Sequence, residues 1–225
     1  MISRLAARGI LVFAATAAVL FVAAGTLAGP AAWILLLEIH GSGLAIGLWL
    51  ARHDPRLLAE RLSPPFQDAQ ESLDKVIVGT AVVLWHAWLI VMAFDAVRYR
   101  DSQVPSWVQG AGALGLAAAM YLVFRTFREN SYAAPVVKIQ KERGHQVVTT
   151  GPYAHVRHPM YAGALVLFLS APLLLGSWWG LVLAPALVAV LAVRIVVEER
   201  LLSAGLAGYP DYAARVRYRL IPWVW

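Results

Sequence analysis

MYAGALVLFLSAPLLLGSWWGLVLAPALVAVLAVRIVVEER, residues 160–200, is two apolar runs separated only by Gly176-Ser177. The second run, 178–197, has the roughly 20 residues that an α-helix needs to cross a bilayer core. The first, 160–175, is shorter. A two-residue turn makes the pair a tight antiparallel hairpin, tilted or sheltered by other helices. The hairpin returns Glu198 to the membrane edge at which His158 stands.

Outward from this hairpin, four more candidate spans lie at about 9–28, 31–50, 76–95 and 104–124. The chain of 225 residues is 60% hydrophobic and 14% charged, with a mean hydropathy of +0.65. A soluble domain carries about a quarter charged residues. The reading is therefore an all-α integral membrane protein of about six hydrophobic helices, in one domain over 1–225. Without Cys there is no disulfide, thiolate nucleophile or thiolate metal site. Several of the nine Trp stand near run ends, as interfacial anchors do. Arg4 and Arg8 imitate the start of a signal peptide, but the following run is long and Gly29-Pro30 leads straight into another, so a retained helix is expected.

The formal charge of +6 follows the membrane surface rather than nucleic acid, because the basic residues flank apolar runs. With the amino terminus in the cytoplasm, seventeen Arg and Lys fall on that side, and only Arg98 and Arg100 on the other. This bias predicts an even number of spans and a cytoplasmic face made of 51–75, 125–159 and 198–225. In the first of these, Asp54 is the expected N-cap and Pro55 the first helical residue. Leu57, Leu58 and Leu62 then share one face, which suggests a helix lying along the interface.

Polar chemistry gathers at this edge. TTGPYAHVRHPMYAG, residues 149–163, holds two His, an Arg, two Tyr and two Pro. Pro159 suits a first helical turn with His158 as N-cap, and a helix start attracts anions. Arg157 adds donors, while Tyr153 and Tyr161 add aromatic faces. The competing reading is a polar cap with aromatic anchors. RIVVEERL, 194–201, places Arg194 and Glu198 four apart on one helical face, with Glu199 about 100° away. Carboxylates at a membrane edge are costly and point to function; the alternative is one salt bridge and one solvated Glu. Together the two edges suit a ligand bearing a carboxylate, an ammonium and an aromatic base. The tail GYPDYAARVRYRLIPWVW reads as a basic aromatic anchor. Glu38 and His40 within the second span line a cavity or join helices, and His86 reads as a packing residue. There is no P-loop, GxGxxG fingerprint or HExxH, and no metal site is expected.

The run VVKIQKERGHQVVTTGPYAHVRHPMYAG, the hairpin, EERLL and YPDYAARVRYRLIP resemble the isoprenylcysteine carboxyl methyltransferase family over about residues 135–222. That family is related to the membrane phospholipid methyltransferases. DPRLLAERLSPP also resembles the upstream region of its bacterial members. The resemblance implies N-terminal helices over 1–134 and a catalytic, cofactor-binding region over 135–225. It implies an S-adenosylmethionine site, with S-adenosylhomocysteine as product, and a lipophilic acceptor entering from the bilayer. The implied cofactor residues are Gln140, His145, Val147, Gly151, Tyr153, Arg157, His158, Pro159, Tyr161, Glu198 and Glu199. The catalytic residues expected from the chemistry are Arg194, Glu198 and Arg219: a carboxylate acceptor needs no base but an Arg to orient it, Arg194 first and Arg219 second, whereas an amine acceptor needs a proton taken, by Glu198, Glu38 or His40. The expected place is the cytoplasmic membrane of a prokaryote, with the site facing the cytoplasm. A prenylated-cysteine carboxylate is the first acceptor and a phospholipid amine the alternative. Two readings of another class stand beside these: an NADPH-dependent membrane reductase, and a lipid-binding protein without activity.

Overall fold

A computed structural model describes residues 1–64, 66–67 and 70–225. The described chain is helical throughout its regular parts: α1 (Ile2–Ala24), α2 (Pro30–His53), α3 (Pro55–Arg61), α4 (Ser72–Arg98), α5 (Ser106–Glu129), α6 (Pro159–Leu175), α7 (Trp178–Gly205) and α8 (Tyr209–Arg215). α2 is widened by a π-turn at Leu37–Gly41, and α4 ends in another at Phe94–Arg98. α1, α2, α4, α5 and α7 are long and apolar enough to cross a membrane, and α6 is the shorter apolar helix. The six expected hydrophobic segments are all present. Leu11, Val83 and Leu114 are 69%, 67% and 76% exposed, and a surface this apolar belongs in a bilayer. The protein is an all-α integral membrane protein.

The core lies where α1, α2, α4, α6 and α7 meet, around Leu20, Leu35, Leu36, Leu89, Met92 and Leu174. Trp88 in α4 is buried there and its indole N–H donates to the Gly180 carbonyl at 2.7 Å, so the ring packs without stranding its polar atom.

The hairpin turn is built as its sequence suggests. Gly176 takes φ +82°, a conformation that side chains resist, and its N–H and that of Ser177 both reach Pro172 O at 2.9 Å. Ser177 then caps α7 by accepting from Gly180 N at 2.9 Å, and its hydroxyl donates to buried Asp95. The edge opposite the polar site is thereby fixed.

α5 and α6 pack most closely, because α5 carries glycine at the contact. A Cβ on Gly112 would stand 2.4 Å from Leu174 N and 2.8 Å from Ser170 O. Backbone cannot yield as a side-chain tip can. Gly112→Ala is expected to lower the melting temperature by several degrees, a cost of about 2 kcal/mol. Gly110→Ala, on open space, should leave it unchanged or raise it. Equal melting of the two variants would refute this packing.

The segment after α2 departs from expectation. Asp54 does cap α3, accepting from Leu57 N at 3.0 Å. But Leu57 and Leu58 are buried against Leu5, Ile46, Leu50 and Phe127 rather than lying on the interface. Hydrophobic periodicity shows that one face seeks apolar surroundings. It does not say whether lipid or protein supplies them, and here protein does.

Candidate active site

Three pieces of chain converge at the edge that carries 125–159 and 198–225. The 3-10 turn Gly151–Ala154 and the start of α6 bring Tyr153, Arg157, His158 and Tyr161. The end of α7 brings Arg194, Glu198 and Glu199, and the tail from α8 onward folds over them. They surround a hollow with about 90 Å³ of free space that opens to solvent.

Glu199 organises the roof. Its Oε1 accepts from Arg157 Nε at 2.6 Å and lies 3.1 Å from His158 Nε2, and its Oε2 accepts from Arg219 Nε at 2.8 Å. Arg157 is 8% exposed and also donates through Nη1 to Val216 O and Arg217 O, both at 2.9 Å. The backbone N–H groups of Arg157 and His158 donate to Tyr218 O and Arg219 O at 2.9 Å. The expected open anion site at the start of α6 is therefore closed by the chain's own tail. Glu199 is the hub of three cationic or potentially cationic side chains, not a solvated carboxylate. The sequence places Glu199 away from Arg194 correctly, but says nothing of what waits on its other side.

Glu198 faces the hollow. Its Oε2 accepts from Tyr161 OH at 2.7 Å, and among the described residues no Arg, Lys or His comes within salt-bridge distance of it. The expected Arg194–Glu198 pair does not form. Arg194 Nε instead donates to Asp74 Oδ1 at 3.0 Å, and its Nη2 to Pro135 O at 2.6 Å. Asp74 is wholly buried, and its Oδ2 accepts from Gln70 Nε2 at 2.7 Å and Val137 N at 3.0 Å. A carboxylate already desolvated on α4 outcompetes a neighbour on the same helix, because its charge is least screened. Asp74 is the residue the sequence reading missed. The one signal was an acid inside the first turn of a long apolar helix.

Of the expected cofactor residues, His145, Val147, Tyr153, Arg157, His158, Tyr161 and Glu198 line the hollow, and so does Arg194. Glu199 and Arg219 stand behind it in the roof. Pro159 opens α6, Gly151 packs against Glu129, and Gln140 is wholly buried, donating to Tyr132 O at 2.8 Å. These last three shape the wall rather than face the hollow.

The wall is aromatic and mostly uncharged. Tyr132 and His145 stack at 4.3 Å. Burial, reinforced by the Arg143 charge, pulls the His145 imidazole down to about 4, so it is neutral at pH 7. Burial pushes Tyr212 up to about 12, which keeps it protonated, and it donates to Tyr153 O at 2.8 Å. The Tyr209 hydroxyl also borders the hollow, buried and without a hydrogen-bond partner among the described residues. Such an orphan is uncommon in a folded protein and marks a place for a ligand atom.

His145 gives a pH dependence. Its folded pKa lies below its unfolded value of about 6.5, so between the two the unfolded chain binds more protons. The contribution is complete above about pH 6.5 and is lost as pH falls toward 4. It is worth no more than about 1–2 kcal/mol, since solvent reaches the ring. Melting curves of His145→Asn from pH 7 to 4.5 should fall less steeply than those of the parent; parallel curves would remove the assignment.

Outside the site, Glu38 and His40 occupy the π-turn of α2, where His40 meets the Phe13 ring edge-on at 5.5 Å. His86 sits 2.7 Å from Val82 O.

The apolar hairpin thus ends in a carboxylate-lined aromatic hollow. Residues 107–207, from α5 through α7, match the family model described as phospholipid methyltransferase. This stretch contains Tyr153, Arg157, His158, Tyr161, Arg194, Glu198 and Glu199. No curated protein matches the chain.

Proposed function

We propose that the protein transfers the methyl group of S-adenosylmethionine to a lipophilic acceptor at the bilayer edge. The acceptor we favour is a carboxylate such as that of a prenylated cysteine, with a phospholipid amine as the alternative. One observation carries this reading: Glu198, within the family-matched stretch, faces an aromatic hollow and has no salt-bridge partner among the described residues. A half-buried carboxylate in that state suits a cationic ligand. S-adenosylmethionine carries an ammonium and a sulfonium. The orphaned Tyr209 hydroxyl offers a donor to a ligand oxygen, and the Tyr132–His145 stack offers a flat face for a base. The residues present therefore fit the cofactor.

When bound, the cofactor supplies an electrophilic methyl group on sulfur. Glu198 would hold the ammonium, and the Tyr161 hydroxyl fixes the Glu198 carboxylate. Neutral His145 adds no positive charge against the sulfonium. The Arg157–Glu199–Arg219 roof keeps water out, which strengthens every charge interaction beneath it. Arg194, held by Asp74 and Pro135 O, turns its remaining donors to the acceptor. In-line transfer needs chiefly alignment. A carboxylate acceptor has no proton to lose, whereas an amine would need a base. The basic face is the cytoplasmic one in this reading, and residues 135–225 form the cofactor-binding part of a single membrane domain.

Calorimetric titration of the detergent-purified protein with S-adenosylhomocysteine tests the proposal, with NADPH beside it. Saturable binding of the first and none of the second is expected. NADPH binding alone would assign the hollow to a reductase. Binding of neither by folded protein would leave the edge a cap and an anchor.

A further inference from the structure

Two guanidinium groups are held along residues 133–135 near the hollow, and among the described residues only one has a carboxylate. Arg61, the last residue of α3, donates through Nη1 to Ala133 O at 3.3 Å. Arg194 donates through Nη2 to Pro135 O, two residues along the same stretch. Both heads are thus tied to one short stretch, near enough for the Arg194 charge to act on Arg61. Asp74 serves Arg194, and its second oxygen is filled by Gln70 and Val137. Glu60, next to Arg61 in the chain, is spent on Lys138 at 2.7 Å. Glu198 is engaged by Tyr161. Among the described residues Arg61 has no carboxylate within salt-bridge distance.

Its surroundings make this costly. The Arg61 guanidinium lies over the Phe127 ring, 4.6 Å from its centre, beside a cluster that includes Leu57, Ala133 and Met160. Burial, and next the nearby Arg194 charge, pull the group down to about 10. It remains a cation at neutral pH. Two cations held together against one carboxylate, with most of their N–H donors unspent, call for an anion from outside. The apolar cluster around Arg61 favours an anion that carries a hydrocarbon chain.

We propose that Arg61 and Arg194 clamp the acidic group of the lipophilic acceptor, a carboxylate or a phosphate. This rests on the acceptor site proposed above and adds Arg61, from outside the family-matched stretch, as a residue that determines specificity. If the clamped group is a carboxylate, it is itself the methylated group. If it is a phosphate, it positions a nearby nucleophile.

The test uses the full chain in phosphatidylcholine nanodiscs, titrated with dodecanoate, dodecyl phosphate and, as control, dodecyltrimethylammonium. Saturable binding of at least one anion and not of the cation is expected, and the preferred anion names the source. Arg61→Gln should weaken that binding about tenfold or more, as loss of a charge-assisted bond does. Arg61→Lys, which keeps the charge but loses the fork, should weaken it less. Unchanged anion affinity in a folded Arg61→Gln, or equal losses in Gln and Lys, would overturn the clamp. S-adenosylhomocysteine is titrated into the same samples. Anion binding without it would sink the cofactor reading and keep the clamp; the reverse would sink the clamp alone.

Discussion

Replacing Glu199 by Ala should cost the fold about 3 kcal/mol and lower the melting temperature by roughly 6–12 °C. Its carboxylate is the one group joining Arg157, His158 and Arg219 at 2.6, 3.1 and 2.8 Å. Removing it leaves the mostly buried Arg157 without its counter-charge, and such orphaned charges cost far more than a surface pair is worth. The tail should loosen with it, because Arg219 loses its anchor and Arg157 must keep its bonds to Val216 O and Arg217 O without the carboxylate that orients it. Limited trypsin digestion should then cut at Arg215 or Arg217 in the variant well before the parent. Glu199→Gln, which keeps an acceptor oxygen, should lie between the two. A parent-like melting curve and digestion pattern for Glu199→Ala would show that the roof is held by the backbone bonds from 157 and 158 to 218 and 219 alone.

Glu198→Gln should behave in the opposite way. Glu198 makes one hydrogen bond to Tyr161 and no ion pair among the described residues, so the substitution should shift the melting temperature little. Its effect belongs to the ligand. Exchanging a charge-assisted contact for a neutral one is expected to weaken S-adenosylhomocysteine binding by about 10- to 100-fold. Arg194→Ala, at the residue proposed to orient the acceptor, should spare that binding and reduce turnover. Equal cofactor affinity in parent and Glu198→Gln would remove Glu198 from the site. A matching loss in Arg194→Ala would mean that the two residues, although not paired, serve one ligand. Adjacent carboxylates thus have separable readouts, stability for Glu199 and affinity for Glu198.

The separation is not legible in EER as a string. Helical spacing states that residues 198 and 199 point about 100° apart and that 194 lies on the face of 198. The hairpin accounts for the meeting of 199 with 157 and 158 and of 198 with 161. Partner choice is another matter. Arg194 had an acid four residues away and took Asp74, 120 residues away, because that carboxylate was already dehydrated. His158 was placed at the N-cap and is there, but its ring turns to Glu199 rather than to its own helix.

The membrane class, the six hydrophobic helices, the hairpin turn at Gly176-Ser177 and the polar edge are all readable in the sequence. These follow from apolar length, turn chemistry and the expense of charge near lipid, which are local properties. Tertiary packing settles that α3 buries Leu57 and Leu58 against protein, that the tail closes the start of α6, that Asp74 holds Arg194 and that Arg61 has no carboxylate partner among the described residues. Those outcomes depend on which distant groups reach one another first in a medium where an unpaired charge is costly, and no local pattern records that competition.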